Sequence, residues 1–414
     1  MQTINKPSLS SLFDDQNLFS SFVEGRSWEP GWCADFRMEN WNHYETLRNS
    51  VFKDENWRFS PKSRFSLSGV NHLTSDVDLL SLSSSVDSKS RFQDLNKMIL
   101  DFPSEVSSII SLKGPSLGAL SNYHLTSALF DNGYFLNTAT GNEPPEVFTV
   151  RHKLPISGSI SFRKNVLTLA PFSEITVFEF IESDCDSNSG NLSSILHAEI
   201  GEGAKLNRIL IQDAKTSATL HQFENFVIGK NANVTNTTIH LGSSECRTEI
   251  KGNLMKEGAE FENFSLFLGC GDQLFDQRTM QFHAAPNCRS NLISKNALND
   301  ESKSVFSGMI KVLPSASNTN AYQTNRNLLL SNEAQADSLP GLEILANEVK
   351  CSHGATTSKI DEQELFYLQS RGIPKKSAEN LIALGFLEEI LAMVKNEELN
   401  ESIRHKIESR FNNL

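Results

Sequence analysis

The stretch Gly203-Ala204-Lys205-Leu206-Asn207-Arg208-Ile209-Leu210-Ile211 contains a pattern that returns several times along the chain. A residue suited to a tight turn is followed by a small residue, and the five pairs are Gly203-Ala204, Asn231-Ala232, Gly258-Ala259, Asn287-Cys288 and Ser315-Ala316. The small residues, at positions 204, 232, 259, 288 and 316, lie 27 to 29 residues apart. Gly and Asn readily adopt the positive φ that a tight turn needs. A fixed period of this length is typical of solenoid proteins.

Apolar residues follow these pairs at constant spacing. They lie two, five and seven residues after the small residue: Leu206, Ile209 and Ile211 in the first copy, Val234, Thr237 and Ile239 in the second, Phe261, Phe264 and Leu266 in the third. In a solenoid each turn buries an inward row and stacks on the next turn. The pattern predicts a right-handed parallel β-helix over residues 118–356, with the small residues in one column. A β-sandwich with evenly spaced hairpins is the alternative on the pattern alone.

The regions on either side of the repeats have a different pattern. Residues 1–117 are mixed and predict a mostly helical N-terminal region. Residues 357–414 predict a helical C-terminal domain, in which Asp361 suits a helix N-cap and Gly372 and Gly385 suit helix ends. We expect three helices that cap one end of the solenoid.

Composition narrows the classes of function. The net charge of -12 repels phosphate backbones and argues against nucleic-acid binding. No apolar run is long enough for a membrane helix. The six cysteines are dispersed, with no Cys-x-x-Cys pair, and no signal peptide is recognisable, so we expect free thiols in a reducing cytoplasm. Walker A, dinucleotide-binding and nucleophile-elbow motifs are also absent from the sequence.

Cys351 and His353 form the best candidate for a metal or cluster site. Residues two apart on a strand face the same way, and thiolate and imidazole are both ligands of iron–sulfur species. Two ligands do not complete a cluster site, so a partner would have to supply the others. The plain alternative is that Cys351 fills an inward row as an ordinary core residue. That alternative suits His353 less well, because a polar ring beside Gly354 is a poor core residue. His197, His221 and His240 lack thiol or carboxylate neighbours at chelating spacing and are interpreted as structural. His283 lies close before Cys288, and we expect it to be an exposed or hydrogen-bonded turn residue and not a ligand.

Two segments resemble the SufB/SufD family of iron–sulfur cluster assembly proteins. One is Lys350-Cys-Ser-His-Gly-Ala-Thr-Thr-Ser-Lys-Ile-Asp-Glu-Gln-Glu-Leu-Phe-Tyr-Leu-Gln-Ser-Arg-Gly-Ile373, and the other is Lys53-Asp-Glu-Asn-Trp-Arg-Phe59. The chain looks closest to the SufD branch, because the segment Gln323-Thr-Asn-Arg-Asn-Leu-Leu-Leu330 lacks the cysteine that SufB-type chains carry there. Ala355-Thr-Thr-Ser-Lys-Ile360 departs from the usual SufD pattern.

The resemblance implies a β-helix and a non-catalytic scaffold subunit of the SUF complex. It implies pairing with the paralogue SufB and docking of the ATPase SufC on the C-terminal helices. Within the part most like the docking region we select Phe366, Leu368, Arg371 and Phe386 as partner-binding candidates. His353 is implied at the SufB interface, with Cys351 secondary. A transient cluster or iron would be shared with the partner, and this chain alone would hold no tightly bound cofactor.

Two other functions fit a β-helix. Polysaccharide lyases and hydrolases use this fold with a cluster of carboxylates on one face, and Asp272 and Asp276 are the nearest approach to such a cluster here. A plain binding module, in which the helices only cap the solenoid, is the third possibility.

Overall fold

The computed structural model describes residues 12–14, 17–48, 55–67, 69–74, 80–84, 90–111, 114–115, 117–141, 144–183 and 189–412. Lys53, Asp54 and Cys185 lie outside these ranges. The eight α-helices in the described part are α1 (Leu18–Glu24), α2 (Gly31–Arg48), α3 (Leu95–Asp101), α4 (Pro103–Ile110), α5 (Leu120–Leu129), α6 (Glu362–Ser370), α7 (Lys375–Leu391) and α8 (Glu397–Asn412), and two short 3-10 helices span Leu12–Asp14 and Glu55–Trp57. No helix among the described residues is long and apolar enough to cross a membrane.

The strands build a solenoid of two facing sheets. In chain order they are β1 (His72–Leu73), β2 (Leu80–Ser84), β3 (Arg91–Asp94), β4 (Tyr134–Asn137), β5 (Glu146–Lys153), β6 (Ser159–Leu169), β7 (Glu174–Glu182), β8 (Asn191–Ile200), β9 (Lys205–Asp213), β10 (Thr219–Ile228), β11 (Asn233–His240), β12 (Glu245–Leu254), β13 (Glu260–Gly269), β14 (Leu274–His283), β15 (Arg289–Leu298), β16 (Lys303–Val312), β17 (Thr319–Leu329), β18 (Gln335–Ile344) and β19 (Val349–Lys359).

Successive strands alternate between the two sheets. One sheet has the order β18-β16-β14-β12-β10-β8-β6-β4-β3, with β1 beside β6, and the other has the order β19-β17-β15-β13-β11-β9-β7-β5-β2. All neighbours are parallel except the pairs β2–β5 and β3–β4. A sandwich of hairpins would give antiparallel neighbours throughout, so the prediction of a mainly β parallel solenoid with helices at both termini is confirmed. Its right-handed winding stays a prediction.

Four of the five small residues stack in the predicted column. Backbone amides link consecutive turns: Asn233 N–H donates to the carbonyl of Ala204, Glu260 N–H to Ala232 and Arg289 N–H to Ala259. The prediction is wrong at Ala316, because Asn320 N–H donates to Cys288 and puts Thr319 in the column. Ala316 lies inside the turn between β16 and β17, so the sequence period continues there but the strand register does not.

The apolar residues of the repeat point to two different sides of the sheet. Leu206 belongs to the interior cluster that contains Ala204 and Ala232. Ile209 and Ile211 project from the outer face, where α7 and α8 cover them with Leu387, Ile390, Ile403 and Ile407. The expectation that the repeat buries one inward row is therefore incomplete, because the outer face is also a core.

The C-terminal helices lie along the side of the solenoid. α7 contacts β13 and β15, and Lys295 Nζ donates to the carbonyl of Phe386 at 2.7 Å. Asp213, the last residue of β9, forms ion pairs with Lys406 and Arg410 in the C-terminal half of α8. The expectation of a cap on the solenoid end is wrong, as is a helix end at Gly385, which lies within α7. β18 and β19 consequently remain the last strands of their sheets.

Candidate functional site

Cys351 and His353 lie on β19, the last strand of its sheet. β19 pairs in parallel with β17, which places Cys351 beside Ala321 and His353 beside Gln323. The next strand inward, β15, continues the same two rows, with Ser290 beside Ala321 and Leu292 beside Gln323. Because these rows run through the solenoid interior, Cys351 and His353 both project towards the inner side at its open end.

The two side chains differ in burial. Cys351 is partly buried and packs on the small apolar cluster of Ile310, Val312, Ala316 and Ala321. Burial raises the pKa of its thiol, and a hydrogen bond with the Ala321 backbone acts in the opposite direction. His353 is exposed, and the backbone at Gly354 has open space beside it. The imidazole is therefore accessible from outside the chain, while the thiol is also a packing residue.

Among the strands that the structure describes, β19 has a neighbour on one edge only. Asn320 N–H donates to the carbonyl of Cys288, just before β15, and the N–H of Leu330, just after β17, donates to the carbonyl of Leu298. The even-numbered residues of β17 therefore face β15 and the odd-numbered residues face β19. By the same alternation the N–H and C=O groups of Cys351, His353 and Ala355 point away from β17. A long strand with a row of free donors and acceptors is a template for another strand.

The described residues do not form a complete metal site. No group of three or more His, Cys, Asp or Glu side chains is arranged to hold a metal ion in the described part of the chain. Cys33, Cys246 and Cys288 are buried and Cys270 is partly buried. Burial raises the pKa of Cys33 to about 12 and that of Cys270 to about 11, so neither is a ready thiolate. Cys351 and His353 thus remain candidate ligands, with no third candidate beside them in the described part of the chain.

The partner-binding candidates fall in two environments. Phe366 on α6 is 72% exposed, and Arg371 is exposed with its guanidinium 5.2 Å from the ring centre of Tyr367. Leu368 is partly buried. Phe386 packs into the cluster between α7 and the sheet, with Lys295 Nζ 4.9 Å from its ring centre.

Two further exposed apolar residues, which sequence reasoning missed, lie on α6 and α7, the helices that carry Phe366 and Phe386. Tyr367 is 57% and Leu381 is 51% exposed. Part of the signal was present in the sequence, since Tyr367 adjoins Phe366 and Leu381 belongs to the apolar stripe of α7. The apolar stripe alone could not show which helix face meets solvent. We call Phe366, Tyr367 and Leu381 the α6–α7 patch.

The carboxylates considered for a lyase site are not available to a substrate together. Asp276 is fully buried and pairs with Arg247 and Arg278. The ring of Trp57 lies 3.9 Å from the Arg247 guanidinium. Asp272 is exposed and lies 3.7 Å from Arg64. This cluster joins the 55–67 segment to the outer face of the first sheet, and its pairing neutralises the buried acid.

A second buried charge network lies inside the solenoid and was also not anticipated. Arg208 bonds to Glu179, Glu224 and Asn236, and Glu179 lies 2.8 Å from His152. His197, His221, His240 and His283 are buried as well. Burial lowers the pKa of His221 and His240 to about 3 and that of His283 to about 4. None of these histidines reaches the open end.

Comparisons with known proteins agree with the resemblance in the sequence. A family model described as "SUF system FeS cluster assembly, SufBD core domain" matches residues 152–386. The SufD of Escherichia coli (strain K12) is 29% identical over 296 residues, which cover 70% of this chain and 69% of that protein. The SufD of Bacillus subtilis (strain 168) is 23% identical over 431 residues, which cover 97% and 98%. A SufBD family protein of Mycobacterium tuberculosis is 32% identical over 221 residues, and the match spans 56% of its length.

Proposed function

We propose, because the chain belongs to the SufBD family of iron–sulfur cluster assembly proteins, that it is a SufD-like scaffold subunit and not a catalyst. In this proposal it pairs with a SufB paralogue through the open end of the solenoid. It carries a SufC ATPase on its C-terminal helices. His353, with Cys351 second, contributes ligands for iron or a nascent cluster, which is the cargo of the complex.

The observation that carries the proposal is the unpaired edge of β19. The C-terminal helices leave this end uncovered, and β19 contains no proline or bulge between Val349 and Lys359 that would block pairing. A partner strand added here would cover His353 and Cys351. The candidate ligands therefore lie at the surface where the partner is proposed to bind.

The partial ligand set supports the same arrangement. An imidazole and a thiol can hold part of an iron–sulfur species, but a stable cluster needs further soft ligands. Since the described residues provide no third ligand nearby, the other ligands would come from the partner. This fits a cluster that forms only in the assembled complex.

The α6–α7 patch supports the docking of SufC. Aromatic residues are enriched in protein interfaces relative to the rest of the protein surface. Phe366, Tyr367 and Leu381 are all more than half exposed, whereas Phe386 already has a packing role. We assign the contact with SufC first to Phe366 and Arg371, and to Leu368 and Phe386 through their support of the helices.

The proposal is tested by co-purification with SufB and SufC. Tagged wild-type chain, expressed with both partners, should retain both. Ala355→Pro removes one free-edge N–H without removing a bond to β17. It should weaken SufB binding by about 1 kcal/mol or more, roughly fivefold in Kd, and leave SufC binding unchanged.

Ala355→Ser is the matched control, because it keeps the N–H at the same position and should bind SufB like the wild type. Wild-type chain that retained neither partner would remove the scaffold proposal and favour a plain binding module. If Ala355→Pro binds SufB as tightly as Ala355→Ser does, pairing through the β19 edge is wrong.

A further inference from the structure

The side chain of Gln323 is buried directly beneath the candidate ligand His353. Gln323 lies on β17, is 1% exposed and is the register partner of His353 on the interior face. Adjacent strands are about 4.8 Å apart, so side chains in one row are within contact distance. On its other side Gln323 has Leu292, which is apolar and fully buried. His353 is therefore its polar neighbour in the row.

In the Gln323 amide, the nitrogen Nε2 has a hydrogen-bond partner and the oxygen Oε1 has none among the described residues. Nε2 donates to the carbonyl of Gly308 at 3.2 Å. A carbonyl can only accept, so this bond determines which amide atom is nitrogen and which is oxygen. Oε1 is buried and has no hydrogen-bond partner among the described residues. Buried acceptors are nearly always paired, so an unused one points to a missing partner.

Gly308 makes room for this amide. A Cβ at position 308 would lie 2.3 Å from Oε1 and 2.6 Å from Cδ of Gln323, which no real contact allows. Gly308 belongs to β16, where a glycine costs stability compared with a residue that has a side chain. The close approach gives a reason for glycine at this position, and the hydrogen bond from Nε2 to the Gly308 carbonyl holds the amide there.

We propose that Oε1 of Gln323 accepts a hydrogen bond from one ring N–H of His353 and thereby sets the tautomer of the imidazole. The other ring nitrogen, without a proton, is then directed outward as the ligand for iron. Histidine ligands commonly donate their second N–H to an oxygen acceptor, which fixes the ring and the tautomer. His353 is exposed, so its ring can turn to reach the buried acceptor. Gln323 is a positioning residue in this inference, which rests on the proposed role of His353.

The test replaces Gln323 by methionine, which keeps the length of the side chain and removes the acceptor. The tautomer of His353 is read in the full-length chain by NMR of ¹⁵N-labelled histidine, with the signal assigned by its loss in His353→Ala. Wild type should show one dominant tautomer, and Gln323→Met should show a mixture. Cluster accumulation in cells that also express SufB and SufC should fall roughly tenfold, the usual lower effect of losing such a partner.

Two further variants make the result specific. Gly308→Ala should displace the amide without removing it and should change the tautomer in the same direction. Gln222→Met removes another buried glutamine, on β10, outside the row of His353, and should change neither readout.

The possible failures are distinct. If His353→Ala itself supports normal cluster accumulation, the proposed function of His353 is wrong. If His353→Ala abolishes accumulation while Gln323→Met and Gly308→Ala keep the wild-type tautomer, only the role of Gln323 is wrong. If Gln222→Met changes the tautomer as much as Gln323→Met does, the effect is a general loss of core packing and the inference also falls.

Discussion

Lys164 is a buried lysine whose replacement by methionine should stabilise the protein. It lies on β6, is 1% exposed, and its amino group has no hydrogen-bond partner among the described residues. Its nearest aromatic contact is Phe36, with the ring centre 4.5 Å from Nζ. Burial lowers the pKa of Lys164 to about 7; Cys33 acts against this shift and Arg37 adds to it. At neutral and lower pH the folded protein thus holds the positive charge of Lys164 in a buried site without a hydrogen-bond acceptor in the described part of the chain.

The size of the effect follows from the pKa. A fall from 10.5 to about 7 corresponds to about 5 kcal/mol against the folded state, at about 1.4 kcal/mol per pKa unit. The ring of Phe36 returns about 1 to 2 kcal/mol. We therefore expect Lys164→Met to raise the free energy of unfolding by about 3 kcal/mol at pH 6.

The gain should depend on pH in a defined direction. Because the folded pKa of Lys164 is depressed, this residue binds more protons in the unfolded chain than in the folded chain between pH 7 and pH 10.5, and its contribution to wild-type stability rises with pH through that window. The advantage of Lys164→Met should shrink over the same window. Burial lowers the pKa of His124 to about 4 and raises that of Cys33 from 9.0 to about 12, but both groups are present in wild type and variant, so their titration cancels in the difference between the two proteins.

Urea unfolding at several pH values between 6 and 10, on both proteins, measures this difference. Lys205→Met is the control, because Lys205 is exposed and paired with Glu174, and its replacement should cause little change at any pH. A constant difference between Lys164→Met and wild type across the window would refute the reasoning, as would a loss of stability at pH 6.

Three further predictions concern the proposed partners and the C-terminal helices. His353→Ala should leave the fold and the complex intact and abolish cluster accumulation in cells, whereas Cys351→Ser should reduce accumulation less; normal accumulation in His353→Ala would contradict this. Phe366→Ser should weaken SufC capture at least tenfold in a pull-down, because its ring is exposed on the α6–α7 patch, while Glu364→Ala on the same helix should not; equal capture by both would contradict it. Asp213→Asn should cost about 1 kcal/mol near pH 7 by removing the carboxylate that holds two basic residues of α8. Burial raises the pKa of the Asp213 carboxyl, but its pairs with Lys406 and Arg410 lower it by more, so the folded pKa lies below the unfolded value. The cost of Asp213→Asn should therefore fade as pH drops below about 4. An unchanged cost in urea unfolding at acid pH would contradict this.

The repeat could be identified from the sequence because it is a local property. Each turn of a solenoid has nearly the same length, so the turn residue and the small residue after it return at nearly constant spacing. The predicted stacking of Ala316 failed because it relied on this constant turn length. The turn after β16 is longer, and a spacing counted along the chain does not reveal that the added residues belong to the turn.

Alternation along a strand predicted, from sequence alone, that Cys351 and His353 share a face. The same alternation places Ile209 and Ile211 opposite to Leu206, which the expectation of a single inward row overlooked. It could not determine which face is which, because both sides of β9 are apolar and both are buried, one by the opposite sheet and one by α7 and α8. Only the tertiary structure decided that the C-terminal helices pack along the side of the solenoid and leave β19 as an open edge. The physical reason is that the outer rows near Ile209 and Ile211 offer those helices a large apolar surface, and burying it outweighs covering the more polar end that carries His353.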